Sequence, residues 1–415
     1  MTTFYVDPDR KVSISYEDLI TELNSRNQRH PIVYTDDPSE IMLEILLAIL
    51  GGEELTLLDS EFSEETLASL GYDSDQIHTT EPVPNFQIDK PENLLAQIEN
   101  TDSELTLTVY TSGTTGIPDP VDQTLNDLTR SVRQSEDFRD HVWAFAYNPT
   151  HLAGLQVFFQ AILNLNPLIY IFESSSDQIG HMILDHGITH ISATPTFYRL
   201  RLQQLDDTYR SVRRLTSGGE RFETSLQESL REIFPDAEFR NIYAITEAGT
   251  LLESDGEVFN IPKKYSEKLK ISEGNELIIH KSLLAKSVEQ SLEGDWYHTG
   301  DIVESVDTGE FRFVGRKSDF VNVGGYRVNP HNIEQQISTV EGVAAAVVYS
   351  RESSVTGNIL VAGIQPAADV DPDTAKQQVK NEIKKLERWK QPRIVNVVKD
   401  INRSRSGKRI RGDSE

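Results

Sequence analysis

The sequence predicts an α/β fold in two parts, a large N-terminal α/β domain followed by a small α+β domain. Three observations carry this reading. Short apolar runs of strand character at 141–147, 167–172, 188–193 and 239–243 alternate with helical spacing at 151–163, 176–185 and 223–233. That alternation is the pattern of a largely parallel sheet covered by helices. Stretches rich in glycine and hydroxyl residues fall at the ends of strand-like runs, where ligands of such sheets gather. Past residue 318 the pattern changes to short elements: a helix from 332, strands at 343–349 and 359–364, a helix at 373–386 and a strand at 394–398.

The N-terminal hundred residues fit the same class. Residues 16–23 and 41–50 have helical spacing, and 55–58 is a short apolar run. The segment 79–91, rich in Pro and Thr, reads as a connector. No internal repeat or long low-complexity tract is visible.

Composition limits what the chain does. With 415 residues it can hold two or three domains with sizeable cores. The longest apolar stretches, 41–50 and 152–172, are interrupted by Glu44 and by Gln156, Gln160, Asn164 and Asn166, so neither reads as a membrane span. The first ten residues lack the basic-then-apolar pattern of a signal peptide, and a cytoplasmic location is the default expectation. A net charge of −26 argues against nucleic-acid partners. There are no cysteines, which excludes disulfides, thiolate metal sites and an enzyme-bound thioester. Any thiol in the chemistry belongs to another molecule. Against the acidic whole, 376–411 is basic, with Lys380, Lys384, Lys385, Arg388, Lys390 and Arg393 followed by Arg403, Arg405, Lys408 and Arg409. For 376–385 a solvated helix face accounts for the charge. For 403–411 a functional reading is stronger.

The chain is organised around Thr111-Ser112-Gly113-Thr114-Thr115-Gly116, which comes after a strand-like run at 105–111 and precedes a helical pattern starting near Gln123. Glycines allow close backbone approach, and successive N–H groups with hydroxyls form an anion-binding nest. Such turns after strands are common, so the loop gains meaning from the motifs later in the chain. In Asn241-Ile242-Tyr243-Ala244-Ile245-Thr246-Glu247, Tyr243 offers a face for adenine, Thr246 a hydroxyl for phosphate and Glu247 a carboxylate for Mg2+. A hard cation needs few protein oxygens when phosphates complete its shell. In Trp296-Tyr297-His298-Thr299-Gly300-Asp301, Asp301 offers a carboxylate that can accept both hydroxyls of a diol, and Gly315-Arg316-Lys317-Ser318-Asp319 carries the guanidinium of Arg316. Standing alone, each would read as a polar surface turn.

In this order the motifs resemble those of the adenylate-forming (ANL) superfamily, the acyl- and aryl-CoA synthetases and stand-alone adenylation enzymes. The resemblance extends from about Leu105 to Arg411. It implies an ATP- and acyl-binding domain at 1–317, shortened at its N-terminus, and a mobile C-terminal lid at 318–415 with Ser318 as hinge. It identifies Thr111, Ser112, Gly113, Thr114, Thr115 and Gly116 as the phosphate loop, and Gly218, Gly219, Glu220, Asn241, Tyr243, Asp301 and Arg316 as further ATP or AMP contacts. It places His151, Leu152, Ser217 and Ala244 about the acyl pocket, and Gly324 and Gly325 on the tunnel for the pantetheine thiol. Lys408, in Ser404-Arg405-Ser406-Gly407-Lys408, resembles the lysine that reaches the attacking carboxylate and the α-phosphate. Lys408, Glu247 and Thr246 are the expected catalytic residues.

The implied activity is ATP-dependent conversion of a carboxylic acid to acyl-AMP with release of pyrophosphate. Transfer to the thiol of CoA, or to a carrier protein's phosphopantetheine, comes next. His151 is read as a pocket residue and not a base. Where amino-acid-activating members carry an Asp for the substrate ammonium, this chain offers Leu152, which favours an acid without an α-amino group. Phe158, Phe159 and Phe197 would suit an aryl or aliphatic acid, although each by itself reads as core. Besides its shortened N-terminal part and Ser318 at a hinge where the family usually has Asp or Lys, the sequence departs from the family at two further positions. Ala244 replaces a glycine, and Asp119 replaces the lysine that normally closes the phosphate loop. An acid there would repel the β- and γ-phosphates unless a cation intervenes. Asp119 motivates the alternative expectation, a catalytically weak or inactive nucleotide-binding protein of the same fold acting in regulation or interaction.

Overall fold

The structure, a computed structural model, describes residues 2–102, 104–111, 118–202, 205–285, 288, 292–307, 309–323, 325–353, 357–367, 370–399 and 401. Its contacts divide the chain into two compact units. One comprises Met1–Ser272, Leu277–Thr299 and Glu304–Arg312, the other Glu273–Glu276, Gly300–Val303 and Phe313–Glu415.

The first unit is built on an eight-stranded sheet. Its order is Gly249–Ser254, Glu238–Ile245, Arg214–Gly218, His190–Ala193, Trp143–Phe145, Leu168–Tyr170, Thr3–Asp7 and Val12–Ser15. The six inner strands are parallel, and each edge is closed by an antiparallel strand. Period-two burial splits each inner strand between two cores. Phe145, Tyr170 and Phe4 pack on one face with the Leu152–Ile162 helix. Ala144, Ile169, Ile191 and Leu215 pack on the other, beneath the helices Ser176–His186 and Thr224–Ile233. Both faces are covered, as expected for a parallel sheet. Phe158 and Phe159, 1% and 0% exposed, and Phe197 lie in these cores. They pack as core residues.

A second sheet carries Ile32–Val33, Leu55–Leu57, Thr106–Thr111 and Asp119–Thr124. Three strands are parallel, and Asp119–Thr124 returns antiparallel to Thr106–Thr111 with Thr111 opposite Asp119. The expected helix near Gln123 therefore begins only at Leu125, capped by Thr124. The Pro38–Gly51 helix packs here. Asp37 caps its start with a bond from the Ser39 N–H, Pro38 takes the first turn, and Gly52 ends it at φ +71°. It is apolar nearly all round because it lies in the core shared by the two sheets.

A third sheet, which the sequence pattern does not announce, is ordered Val258–Asn260, Glu310–Arg316, Trp296–Asp307, Glu276–His280 and Leu269–Ile271, with Leu292–Glu293 on Trp296–Asp307. The second unit's own elements are the hairpin Val321–Val323 and Tyr326–Val328, the helices Pro330–Ser338 and Pro372–Ile383, and a sheet ordered Val343–Ser353, Gly357–Pro366, Ile394–Val397. Its core joins Ile333, Ile337, Val348, Leu360, Val379 and Val395. The buried Glu334 accepts a 2.8 Å bond from the Val348 N–H. Among the described residues, no helix is long and apolar enough to cross a membrane.

At the N-terminal end of the parallel strands sits a stack of rings. His141 and His190 lie 3.9 Å apart, with Trp143 4.7 Å from His190 and Phe138 5.0 Å from His141. Burial, then His141, Arg214 and Arg213, push the His190 imidazole down to about 3. Burial likewise lowers His141. The folded protein holds His190 neutral while the unfolded chain takes up a proton below about 6.5. The stability this contributes is complete above that value and is lost as pH falls toward 3, by up to about 1.4 kcal/mol per pH unit. Urea midpoints measured from pH 7 to pH 4 should fall less steeply for His190→Phe than for wild type. An unchanged slope would assign the acid sensitivity elsewhere.

Candidate active site

Parallel strands deliver their connecting loops to one edge of a sheet, and Gly218, Gly219, Thr246 and Glu247 stand at the ends of two neighbouring strands of the eight-stranded sheet. Strands Arg214–Gly218 and Glu238–Ile245 run side by side, with Ser217 opposite Asn241 and Gly218 opposite Ile242. Gly218 is close enough to its neighbour that an added Cβ would stand 3.3 Å from the Ile242 carbonyl oxygen. Gly219 turns at φ +81°. Glu220 folds back onto the start of the Pro195–Leu202 helix, accepting from the Thr196 N–H at 3.1 Å and hydroxyl at 2.5 Å. Ser217 is fully buried, and among the described residues its Oγ has no hydrogen-bond partner. Asn241 is buried and donates to the Gly256 carbonyl at 2.8 Å.

The chain leaves the sheet at Thr246 and Glu247. Tyr243 is buried, Ala244 sits at an irregularity in the pairing with Gly249–Ser254, and Thr246 and Glu247 are half-buried. The Thr246 carbonyl accepts from Nε2 of Gln123, a side chain 1% exposed, at 2.7 Å. Gln123 lies on the strand that returns antiparallel to Thr106–Thr111, so this bond ties that strand pair to the segment carrying Glu247. Glu247 accepts from the Tyr297 hydroxyl at 2.8 Å, and its carbonyl takes the Ala285 N–H at 2.7 Å. Among the described residues no group of three or more His, Asp or Glu could hold a metal by itself. A carboxylate fixed by a tyrosine can still serve as the single protein anchor of a phosphate-bound Mg2+, so the residues fit that ion.

Thr111 ends its strand opposite Asp119, and Asp119 is exposed. Ser112, Gly113, Thr114, Thr115, Gly116, Gly324 and Lys408 lie outside the described residues.

His151 stands at the start of the Leu152–Ile162 helix, and Leu152, the first helical residue, is buried. Nε2 of His151 is 2.9 Å from Oδ2 of Asp59. Asp59 is 8% exposed and belongs to none of the sequence motifs. It also accepts from Asn148 Nδ2 at 3.1 Å and from the Glu61 N–H at 3.0 Å. Burial raises the Asp59 carboxyl, but the bonds from His151, Glu61 and Asn148 outweigh it and hold the group below its ordinary value. Asn148 in turn accepts from the Thr150 N–H and hydroxyl at 3.0 and 2.9 Å. The turn closes tightly over Gly154, where an added Cβ would stand 2.2 Å from the Asn148 carbonyl oxygen.

In the second unit, Asp301 is 7% exposed and lies within the long strand Trp296–Asp307, not on a surface turn. Its Oδ1 is 3.2 Å from Nε of Arg316. The Gly300 N–H bonds Oε1 of the buried Glu276 at 2.9 Å, and Lys317 reaches the other oxygen at 3.5 Å. Ser318 lies in the 3-10 turn Lys317–Asp319. Gly325 turns at φ +90°, and its N–H bonds Asn322 Oδ1 at 2.8 Å. Beside it Tyr326, 52% exposed, stacks on Trp389 with centroids 4.3 Å apart and planes 10° from parallel.

These features are those of an AMP-binding enzyme. Residues 44–270, more than half of the chain, match the AMP-binding enzyme family, and 332–408 match its C-terminal domain. The chain belongs to this family. It is 23% identical over 398 residues to a 2-succinylbenzoate–CoA ligase of Staphylococcus aureus (strain JH9), covering 90% of this chain and 80% of the relative. It is 26% identical over 296 residues to surfactin synthase subunit 2 of Bacillus subtilis (strain 168), covering 59% of this chain but 8% of that protein. Its fold is similar to that of o-succinylbenzoate CoA synthetase (MenE) from Bacillus subtilis in complex with the acyl-adenylate intermediate, with TM-score 0.71, 19% identity, and 99% and 94% of the two chains covered. ATP-bound MatB from Rhodopseudomonas palustris gives TM-score 0.71 at 16% identity, with 98% and 94% covered.

The tight turn over Gly154 leaves a methyl group no room against a backbone oxygen. Gly154→Ala should therefore destabilise the first unit by about 1–3 kcal/mol. Urea unfolding tracked by tryptophan fluorescence checks this. Wild-type stability would show that the turn relaxes freely.

Proposed function

We propose that the chain converts a carboxylic acid to acyl-AMP with Mg·ATP, releases pyrophosphate, and passes the acyl group to the thiol of CoA. The observation that carries this reading is the pair of adjacent parallel strands ending in Gly218-Gly219 and Thr246-Glu247, inside the family match. The relatives that cover most of the chain are CoA ligases, which supports the same reaction class.

The proposed division of labour rests on the chemistry of each group. Thr111 to Gly116 cradle the phosphates. Gly218, Gly219, Glu220, Asn241 and Tyr243 bound the adenine, and Asp301 with Arg316 hold the ribose. Mg2+ bound through Glu247 supplies positive charge to the phosphate oxygens. Thr246 donates its hydroxyl to the phosphate, and Lys408 draws the attacking carboxylate to the α-phosphorus and balances charge as pyrophosphate leaves. Ser318 is the proposed hinge of a lid domain. The lid brings Lys408 into use for the first half-reaction and the Gly324-Gly325 loop for the second.

His151, Leu152, Ser217 and Ala244 bound the acyl group. Leu152 brings no charge, and the buried Asp59 already takes three donors of the roughly four a carboxylate accepts. This supports an acid without an α-ammonium. The stack of exposed Tyr326 on half-buried Trp389, with Lys384, Lys385 and Arg388 exposed nearby in the sequence, suits a purine with its phosphates. CoA carries such a group and the phosphopantetheine arm of a carrier protein does not, so CoA is the favoured acceptor.

Carboxylate-dependent ATP–pyrophosphate exchange, run with aryl, fatty, dicarboxylic and amino acids, tests the first half-reaction. Exchange with one class of non-amino acid supports the reading. ATP binding without exchange for any acid overturns it. Thioester formation with CoA against a phosphopantetheinylated carrier then tests the acceptor.

Two variants sharpen the assignment. Lys408→Ala should lose at least about 100-fold in exchange and still form thioester from supplied acyl-AMP. Equal loss in both steps would remove the proposed division. Tyr297→Phe removes one hydrogen bond to Glu247, worth about 1 kcal/mol. Half-maximal exchange should then need about fivefold more Mg2+, and an unchanged requirement would separate Glu247 from the metal.

A further inference from the structure

We propose that Asp59 is a positioning residue of the acyl site. Its carboxylate fixes the ring of His151 so that Nδ1 is offered to the bound acid as a hydrogen-bond acceptor, and the preferred acid carries a hydroxyl donor on its acyl part. This rests on the reading of His151 as an acyl-pocket residue.

Proton counting sets the tautomer. An ionised carboxylate only accepts, and hydrogen bonds hold the Asp59 carboxyl ionised at neutral pH. The 2.9 Å contact therefore requires a proton on Nε2 of His151. With the ring as the neutral imidazole, this is its single N–H and Nδ1 keeps its lone pair.

The geometry separates anchor from head. The Asp59 side chain is 11% exposed and that of His151 43% exposed. The anchor is thus interior, while much of the ring stays accessible.

The surrounding bonds leave the anchor little freedom. Oδ1 of Asp59 is held by the Glu61 N–H, and Oδ2 is shared between Asn148 and His151. Asn148 is locked by Thr150, and the turn over Gly154 has no slack. Two elements far apart in sequence thus orient one imidazole. Such a shell of supporting bonds is how a recognition group is pre-aimed.

A lone pair presented in a half-buried site discriminates by what the substrate can donate. A hydroxyl satisfies it, whereas a hydrogen or an acceptor in the same place leaves it unpaired.

The test uses the full chain with two readouts. The first is specificity: kcat/KM for pyrophosphate exchange with paired acids that differ by one hydroxyl, across its ring or chain positions. Wild type should prefer the best hydroxy acid at least about tenfold over its parent. In Asp59→Ala and in His151→Ala that ratio should fall to about one, and the double variant should show no further fall. A ratio that survives Asp59→Ala, or that never exceeds one in wild type, overturns the proposal.

The second readout needs no activity. Nitrogen-15 NMR of histidine-labelled protein should report the Nε2–H tautomer for His151 in wild type. In Asp59→Asn, whose amide can bond the ring through either atom, it should report a mixture of tautomers. An Nδ1–H ring in wild type, or an unchanged tautomer in Asp59→Asn, overturns the proposal even where Asp59→Ala does not fold. Absence of exchange with every acid while the tautomer shift is present would refute the proposed reaction and leave the positioning role of Asp59 standing.

Discussion

A buried carboxylate needs donors, and in this protein that requirement holds two sheets in register. Asp59 lies just past the Leu55–Leu57 strand of the four-stranded sheet, while Asn148 and His151 lie past the Trp143–Phe145 strand of the eight-stranded one. The shared apolar core beneath them presses the sheets together without direction, since Leu107 and Phe145 would tolerate many small shifts. The hydrogen bonds remove that freedom, because sliding either sheet strips an interior charge of its partners. The loops at the sheet ends thus inherit a fixed geometry from contacts made below them.

Much of this arrangement was legible in the sequence, for physical reasons. The parallel strands announce themselves because both faces are covered, so 168–170 and 190–193 have every residue buried. Helix ends are marked where capping is local, as at Ser175 and Gln178 or at Gly187. The Gly218-Gly219 and Thr246-Glu247 motifs fall at strand ends, where short, glycine-tolerant turns fit, and the order of the motifs along the chain points to the family.

The features that escaped reading depend on partners far away in sequence. Asp59, in Leu-Leu-Asp-Ser, has no local signature, and its partner His151 lies 92 residues on. The Thr-Gly-Asp motif reads as a turn because glycine punctuates it. Gly300 instead bends a twelve-residue strand at φ +74° while the buried Glu276 takes its N–H. The return strand Asp119–Thr124 goes unread, with a helix expected from near Gln123, because Pro120 and Asp122 have low strand preference. Pairing with Thr106–Thr111 overrides that preference, and the strand's edge position tolerates the proline.

The bond from Gln123 to the Thr246 carbonyl bears on how this family can vary. It is made by a backbone acceptor and a side chain below the turn, so it does not depend on the composition of the turn itself. This bond to the segment carrying Glu247 needs no side chain from between Thr111 and Asp119. The clasp thus separates the placing of Glu247 from the side chains of the segment between Thr111 and Asp119.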